Sequence, residues 1–224
     1  MAQEFIFEGV NYSVVDEDAR TCRTAERNKV VGTVKLTEQV YDGSIPYTLV
    51  EIGDFSFIDC DKLNNIIIPN SVKSIGRSAF HRCGGLTHVE ISNSVVSIGE
   101  YAFCNCDRLL RVIIPDLVKT MGNCAFEGCR NLVEVYLSNS LTTISVGAFF
   151  CCFSLKRVSI GDSVTSIENS AFHYCTSLTD IRIPRSVLSI GDGAFMGCRK
   201  LKHIELLRSI ELGEKVFDGC LCQH

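Results

Sequence analysis

The hydrophobic positions of this chain recur with a period of 23 residues, far longer than the period of a strand or a helix. Phe57, Phe80, Phe103, Phe126, Phe149, Phe172 and Phe195 are each 23 residues apart, and Phe217 follows after 22. Three positions beyond each Phe stands a cysteine: Cys60, Cys83, Cys106, Cys129, Cys152, Cys175, Cys198 and Cys220. A leucine column runs from Leu63 to Leu201, and an Ile/Val column from Ile66 through Val89, Val112, Val135, Val158 and Ile181 to Ile204. Further columns start at Ile68, Val72 and Ile75. The unit reads L-x-x-I-x-I-P-x-S-V-x-S-I-G-x-x-A-F-x-x-C-x-x. So many columns in one register mark a stacked repeat, in which each unit buries its apolar residues only against its neighbours.

Inside a unit, the pair Ile66/Ile68 and its equivalents have the two-residue spacing of a strand. Pro69, Pro115 and Pro184 close that strand, because proline has no N–H to give to a ladder. Gly76, Gly99, Gly122 and Gly191 mark a second bend. Ser145 and Glu168 stand where that Gly is expected, and Leu207 stands where the Pro is expected, so those bends should deviate. The stretch between bends is too short for a stable α-helix and predicts short extended or 3₁₀ pieces. Residues 1–44 lie outside the repeat. Phe5 to Val15 predicts two strands around a Glu8-Gly9 turn, Val30 to Leu36 a third, and the polar stretch Asp16 to Arg27 a loop. The expected organisation is an N-terminal β-hairpin cap over residues 1–44 and a solenoid of about eight turns over residues 45–224, forming one domain. The cap would shield the apolar end of the first turn.

The signature I-P-x-S-V-x-S-I-G-x-x-A-F-x-x-C, cleanest at Ile68 to Cys83 and Ile183 to Cys198, resembles the BspA-like (Treponema-type) leucine-rich repeat family from Ile45-Pro46 to Cys220. The resemblance implies a right-handed leucine-rich repeat solenoid, mostly β with short 3₁₀ segments, carrying a parallel sheet on its concave side. It also implies surface or secreted proteins that bind other macromolecules, including adhesins.

Composition narrows the function. The formal net charge is −4 and no basic run occurs, which fits poorly with a nucleic acid partner. No apolar stretch has the roughly 18 residues of a membrane span. Met1 to Phe5 shows no signal-peptide pattern, which leaves localisation open between the surface implied by resemblance and an intracellular setting. The 13 cysteines are expected as buried small hydrophobes and not as disulfides or zinc ligands. Ladder thiols lie in a line, whereas zinc needs four ligands meeting at one point. Cys22 and Cys222 are expected to be the accessible thiols. His81 and His173 share a column but lie four turns apart, about 19 Å at the strand spacing. No nucleophile–base pair emerges, so the sequence points to no enzyme and no cofactor.

The residues before and between the two Ile of each unit face away from the core. One such column reads Asn65, His88, Arg111, Glu134, Arg157, Asp180, His203; the other reads Ile67, Glu90, Ile113, Tyr136, Ser159, Arg182, Glu205. Within them, Ile67, Arg111, Ile113, Glu134, Tyr136 and Arg157 form the candidate binding patch, since exposed aromatic and Arg groups are the usual anchors of interfaces. The expected function is non-catalytic binding of a protein or glycan, such as one from a host or its matrix. The alternative is an intracellular scaffold. The final turn, with Ile204, Leu206, Ile210 and Phe217, has no successor in the chain up to His224, so its apolar patch is expected either to find a partner, as by self-association, or to belong to a longer chain.

Overall fold

In a computed structural model, residues 3–206 and 209–222 are described; Met1, Leu207 and His224, which figured above, lie outside them. The chain begins with β1 (Glu4–Phe7), β2 (Val10–Asp16), β3 (Thr21–Thr24), β4 (Gly32–Lys35), β5 (Gln39–Asp42) and β6 (Ile45–Ile52). Each later turn contributes one strand of the first Ile/Val column and one two-residue strand at the Ser-Ile step. The first set is β7 (Leu63–Ile67), β9 (His88–Glu90), β11 (Arg111–Ile113), β13 (Glu134–Tyr136), β15 (Arg157–Ser159), β17 (Asp180–Arg182) and β19 (His203–Glu205). The second set is β8 (Ser74–Ile75), β10 (Ser97–Ile98), β12 (Thr120–Met121), β14 (Thr143–Ile144), β16 (Ser166–Ile167), β18 (Ser189–Ile190) and β20 (Glu211–Leu212). Strands of each set pair in parallel with partners one unit along, as Val112↔Val135↔Val158 and Ile144↔Ile167↔Ile190. This is a β-solenoid of about eight stacked turns.

Stacking explains the columns. Phe57 through Phe195 are fully buried and lie ring on ring, 5.0–5.6 Å between centroids and within 10° of parallel. The N–H of each Phe from Phe57 to Phe172 donates to the carbonyl of the Ala one turn on, as Phe80 to Ala102 at 2.7 Å, and that of Phe195 donates to the Val216 carbonyl. The cysteine column has a second duty besides filling space. Each ladder thiol from Cys83 onward donates to the Phe carbonyl of the preceding turn, at 3.0–3.3 Å. That carbonyl already accepts an N–H from the cysteine three residues on in its own turn, so the thiol satisfies its second lone pair. A small apolar side chain with one weak donor fits this position.

The bend glycines are set by close approach between turns. A Cβ on Gly99 would come within 2.6 Å of the Gly76 carbonyl carbon and 2.7 Å of the Arg77 nitrogen. Where Ser145 replaces the glycine, its hydroxyl takes the Met121 carbonyl. Among the described residues β12 and β14 are then not paired, and the second face divides there. The convex turns contain no helix among the described residues; the expected 3₁₀ pieces are single turns closed by i→i+3 bonds such as Cys83 N–H to Phe80 O at 3.2 Å. Two left-handed residues per turn make these bends. One series runs Phe55, Ser78, Tyr101, Cys124, Gly147, Ser170, Gly193, Lys215 and the other Asp59, Arg82, Asn105, Gly128, Cys151, Tyr174, Gly197, Gly219.

At the N-terminal end, β1 and β2 form the antiparallel hairpin around Glu8-Gly9. The stretch Asp16 to Arg27, read from sequence as a loop, contains β3. This strand pairs antiparallel with β2 and in parallel with β6, because Cys22 and Thr24 point inward between polar neighbours. Cys22 is therefore fully buried, which corrects the expectation that it is accessible; the partly exposed thiols are Cys124, Cys151, Cys220 and Cys222. β4 pairs in parallel with β7, so the segment before residue 45 contributes a strand to the concave sheet. β5 and β6 form a hairpin that crosses residues 44 and 45.

Candidate functional site

The concave face takes its side chains from the alternation of β4 and the odd-numbered strands from β7 to β19. In β9, β11 and β17 the central residue is buried and its two neighbours are exposed. Strand register then lines up the columns. Arg111 lies opposite Glu134 and Glu134 opposite Arg157; Ile113 lies opposite Tyr136 and Tyr136 opposite Ser159. Five of the six candidate residues thus sit on three adjacent strands.

Their electrostatics are those of one connected group. Glu134 is the most shielded of the charged members, with side-chain exposure of 22%, and it is held between two guanidinium groups. Arg157 Nη2 approaches its Oε1 at 2.5 Å and Arg111 Nε its Oε2 at 3.8 Å. The Arg111 guanidinium also lies 4.9 Å from the centre of the Tyr136 ring, within the range of a cation–π contact. Ile113 is 55% exposed and Tyr136 38%, large for apolar side chains in the middle of a sheet. The patch therefore has one net positive charge from Arg111, Glu134 and Arg157 and two apolar groups already fixed in place.

Ile67 is not part of this group. It lies on β7, opposite Lys35 on one side and Glu90 on the other. It joins Arg111 and Ile113 only as lining of an open depression of about 790 Å³, whose other walls include Lys35, Thr37, Glu38, His88, Glu90 and Pro69. A smaller depression of about 310 Å³ lies between Tyr136, Arg157 and Arg182. Both coincide with seams: among the described residues no ladder pairing joins β9 to β11 or β15 to β17, so the concave sheet is three parallel ladders side by side. Sequence reasoning missed the lining from Lys35 to Glu38, whose signal was the short alternating run ahead of the repeats. It also missed the seams, which no residue column announces.

The remaining chemistry does not gather into a reacting centre. Burial pushes the Cys22 and Cys104 thiols up to about 12 and holds His173 below its usual value. Cys60 goes the other way, to about 7, because the Cys83 thiol bonds to it, but it is buried at the first rung of the ladder. Among the described residues no three His, Cys, Asp or Glu side chains are grouped to hold a metal ion, and no helix is long and apolar enough to cross a membrane.

A family model described as the BspA type leucine rich repeat region matches residues 37–119 and 97–223, in six copies. A search of curated proteins finds no match. Among solved structures, the chain is similar to the leucine-rich repeat protein of Treponema pallidum, with 29% identity and a TM-score of 0.80 over 89% of this chain and 91% of that one. It is also similar to a leucine rich cell surface protein from Faecalibacterium prausnitzii A2-165, with 29% identity and a TM-score of 0.79 over 91% of this chain. This chain spans 54% of the length of that protein. A leucine-rich repeat protein from Bacteroides ovatus shares the fold at 23% identity and a TM-score of 0.53. With the family model covering most of its length, the chain belongs to the BspA-type leucine-rich repeat family.

Proposed function

We propose that the protein is a non-catalytic binding module that receives a protein or glycan on its concave sheet, and that it acts at the cell surface or outside the cell as an adhesin. The observation that carries the reading is the fixed group of Arg111, Glu134, Arg157 and Tyr136, with Ile113 beside it, on three paired strands. These side chains are held before any partner arrives, so binding has little ordering cost to overcome. An aromatic ring and arginines at the centre of a rigid face are the usual source of affinity. Alternating charge favours a mixed-charge protein surface or polar glycan over a polyanion. Membership of the repeat family and the similarity to a protein described as a cell surface protein support the location.

One observation favours a second reading. All 13 cysteines are free thiols, and reduced thiols are typical of intracellular proteins; the protein would then be an intracellular scaffold. The test is a screen of the purified protein against extracellular-matrix proteins, host-cell surfaces and a glycan array. Saturable binding that is lost with Tyr136→Ala supports the proposal. No binding to any of these surfaces, with capture of intracellular partners instead, overturns it in favour of the scaffold.

A further inference from the structure

The depression at the first seam of the concave sheet holds backbone groups that the fold leaves open. Where concave strands are joined, the residue after one strand donates its N–H to a carbonyl one turn on: Ile68 to Glu90 at 3.0 Å, Ile114 to Tyr136 at 2.8 Å and Leu137 to Ser159 at 2.9 Å. Between β9 and β11 the equivalent bond would run from the Ile91 N–H to the Ile113 carbonyl, and among the described residues it is not made. Ile91 and Ile113 both line the depression of about 790 Å³. The seam thus sets one backbone donor and one backbone acceptor beside a recess large enough for a ligand, and such groups take their partners from water or from what binds there.

The charges of the recess say what it fits. Glu90 lies opposite Ile67 on β7, and Ile113 holds the corresponding position one turn beyond. The Glu90 carboxylate is therefore exposed between two aliphatic side chains, and among the described residues it forms no ion pair. Glu38, also in the lining, forms none either. Arg111 is already held by Glu134 and the Tyr136 ring, which leaves Lys35 alone against two carboxylates. The recess favours a cation, next to a patch of the opposite sign. Its aliphatic flanks suit the methylene stem of a basic side chain. A guanidinium can donate to the Glu90 carboxylate and the Ile113 carbonyl together, and a main-chain carbonyl of the same segment can accept from the Ile91 N–H. Among the described residues no Phe, Tyr or Trp lines the recess, so a sugar ring finds no flat apolar face to stack on. We propose that the partner received on the concave sheet is a protein, and that it seats an arginine side chain in this depression, between Ile67 and Ile113 and against Glu90. This rests on the concave-sheet reading above and narrows its ligand from protein or glycan to protein.

The probe is a fluorescent heptapeptide amide with arginine between two leucines, together with its citrulline and glutamate analogues, titrated by anisotropy against the full chain. Citrulline keeps the shape of arginine without its charge. The arginine peptide should bind at least about tenfold more tightly than the citrulline peptide. Glu90→Gln should abolish that preference and leave the citrulline peptide unchanged, and Glu90→Arg should turn the preference toward glutamate. A purely structural role of Glu90 would instead weaken all the peptides together and lower the melting temperature. The convex-face change Arg77→Ala should alter nothing. The proposal is overturned by no saturable binding of the arginine peptide up to about 1 mM, by equal binding of the citrulline peptide, or by a preference that survives Glu90→Gln. If the matrix and glycan screen then still finds a ligand lost with Tyr136→Ala, the concave reading stands and the arginine recess alone fails. A glycan whose binding needs Glu90, with no preference among the peptides, overturns the proposal in favour of a sugar.

Discussion

Phe126→Ala tests whether the ring ladder holds the fold together. Phe126 is fully buried, 5.1 Å from the Phe103 ring and 5.6 Å from the Phe149 ring, both within 7° of parallel. Truncation removes the buried ring area and leaves a cavity bounded by two stacked rings whose backbones are pinned by inter-turn hydrogen bonds, so collapse is limited. A buried Phe→Ala change costs about 3–5 kcal/mol, and two aromatic contacts of about 0.5–1.5 kcal/mol each are part of that sum. Phe57, equally buried, stacks on the Phe80 ring with no second ring stack found for it among the described residues, so Phe57→Ala should cost about 1 kcal/mol less. The exposed Lys156→Ala control should stay within about 0.5 kcal/mol. Denaturant titration followed by circular dichroism measures all three. Because each turn contacts only its neighbours, the Phe126 variant should also show a shallower transition as the two halves of the stack uncouple. If Phe126→Ala matched Lys156→Ala in midpoint and slope, the ladder would not be the source of stability.

Two further outcomes follow from the stacking. Gly122→Ala should destabilise by at least about 2 kcal/mol, because its Cβ would overlap the Glu100 nitrogen and come within 2.6 Å of the Gly99 carbonyl carbon; an unchanged melting temperature would mean that the turns stack more loosely. Native thiol labelling should reach Cys124, Cys151, Cys220 and Cys222 and spare the buried thiols. Burial raises Cys124 to about 12 and Cys222 to about 11, and the thiolate is the reactive form, so their rates should climb about tenfold per pH unit from about pH 7 to 10. Cys220, lowered by the bond from Cys198, should react first. Rates that level off near the ordinary thiol range, or modification of Cys22, would contradict the burial assigned here.

The repeat made most of this fold readable, because every turn has the same neighbours and each buried column therefore repeats in the chain. The Phe, Cys and Ile/Val columns and the outward pair around each central residue of the concave strands all follow from that constraint. What lies off the period was not readable. β3 hides between charged residues because only Cys22 and Thr24 turn inward. The left-handed bend positions carry Phe55, Ser78, Tyr101 and Cys124 as well as glycine. There the inter-turn hydrogen bonds fix the backbone, and no residue type betrays it. The candidate patch was legible as columns, but Glu134 held between Arg111 and Arg157, and the separation of Ile67 from Tyr136, depend on side-chain reach and register. The break between β12 and β14 traces to Ser145; the structure gives no comparable cause for the seams beside β11 and β15.

The most direct test of the central claim is the affinity of Tyr136→Ala/Arg157→Ala for the matrix protein, cell-surface protein or glycan that gives saturable binding in the screen, measured beside the convex-face change Arg77→Ala. The double change removes the aromatic anchor and one of the two cations on Glu134, at exposed positions that leave the ladders intact. The account predicts a loss of at least about 2 kcal/mol, or roughly thirtyfold in Kd, with Arg77→Ala unchanged and all melting temperatures alike. Undiminished binding by the concave variant together with loss in Arg77→Ala would contradict it and place the binding surface on the convex face.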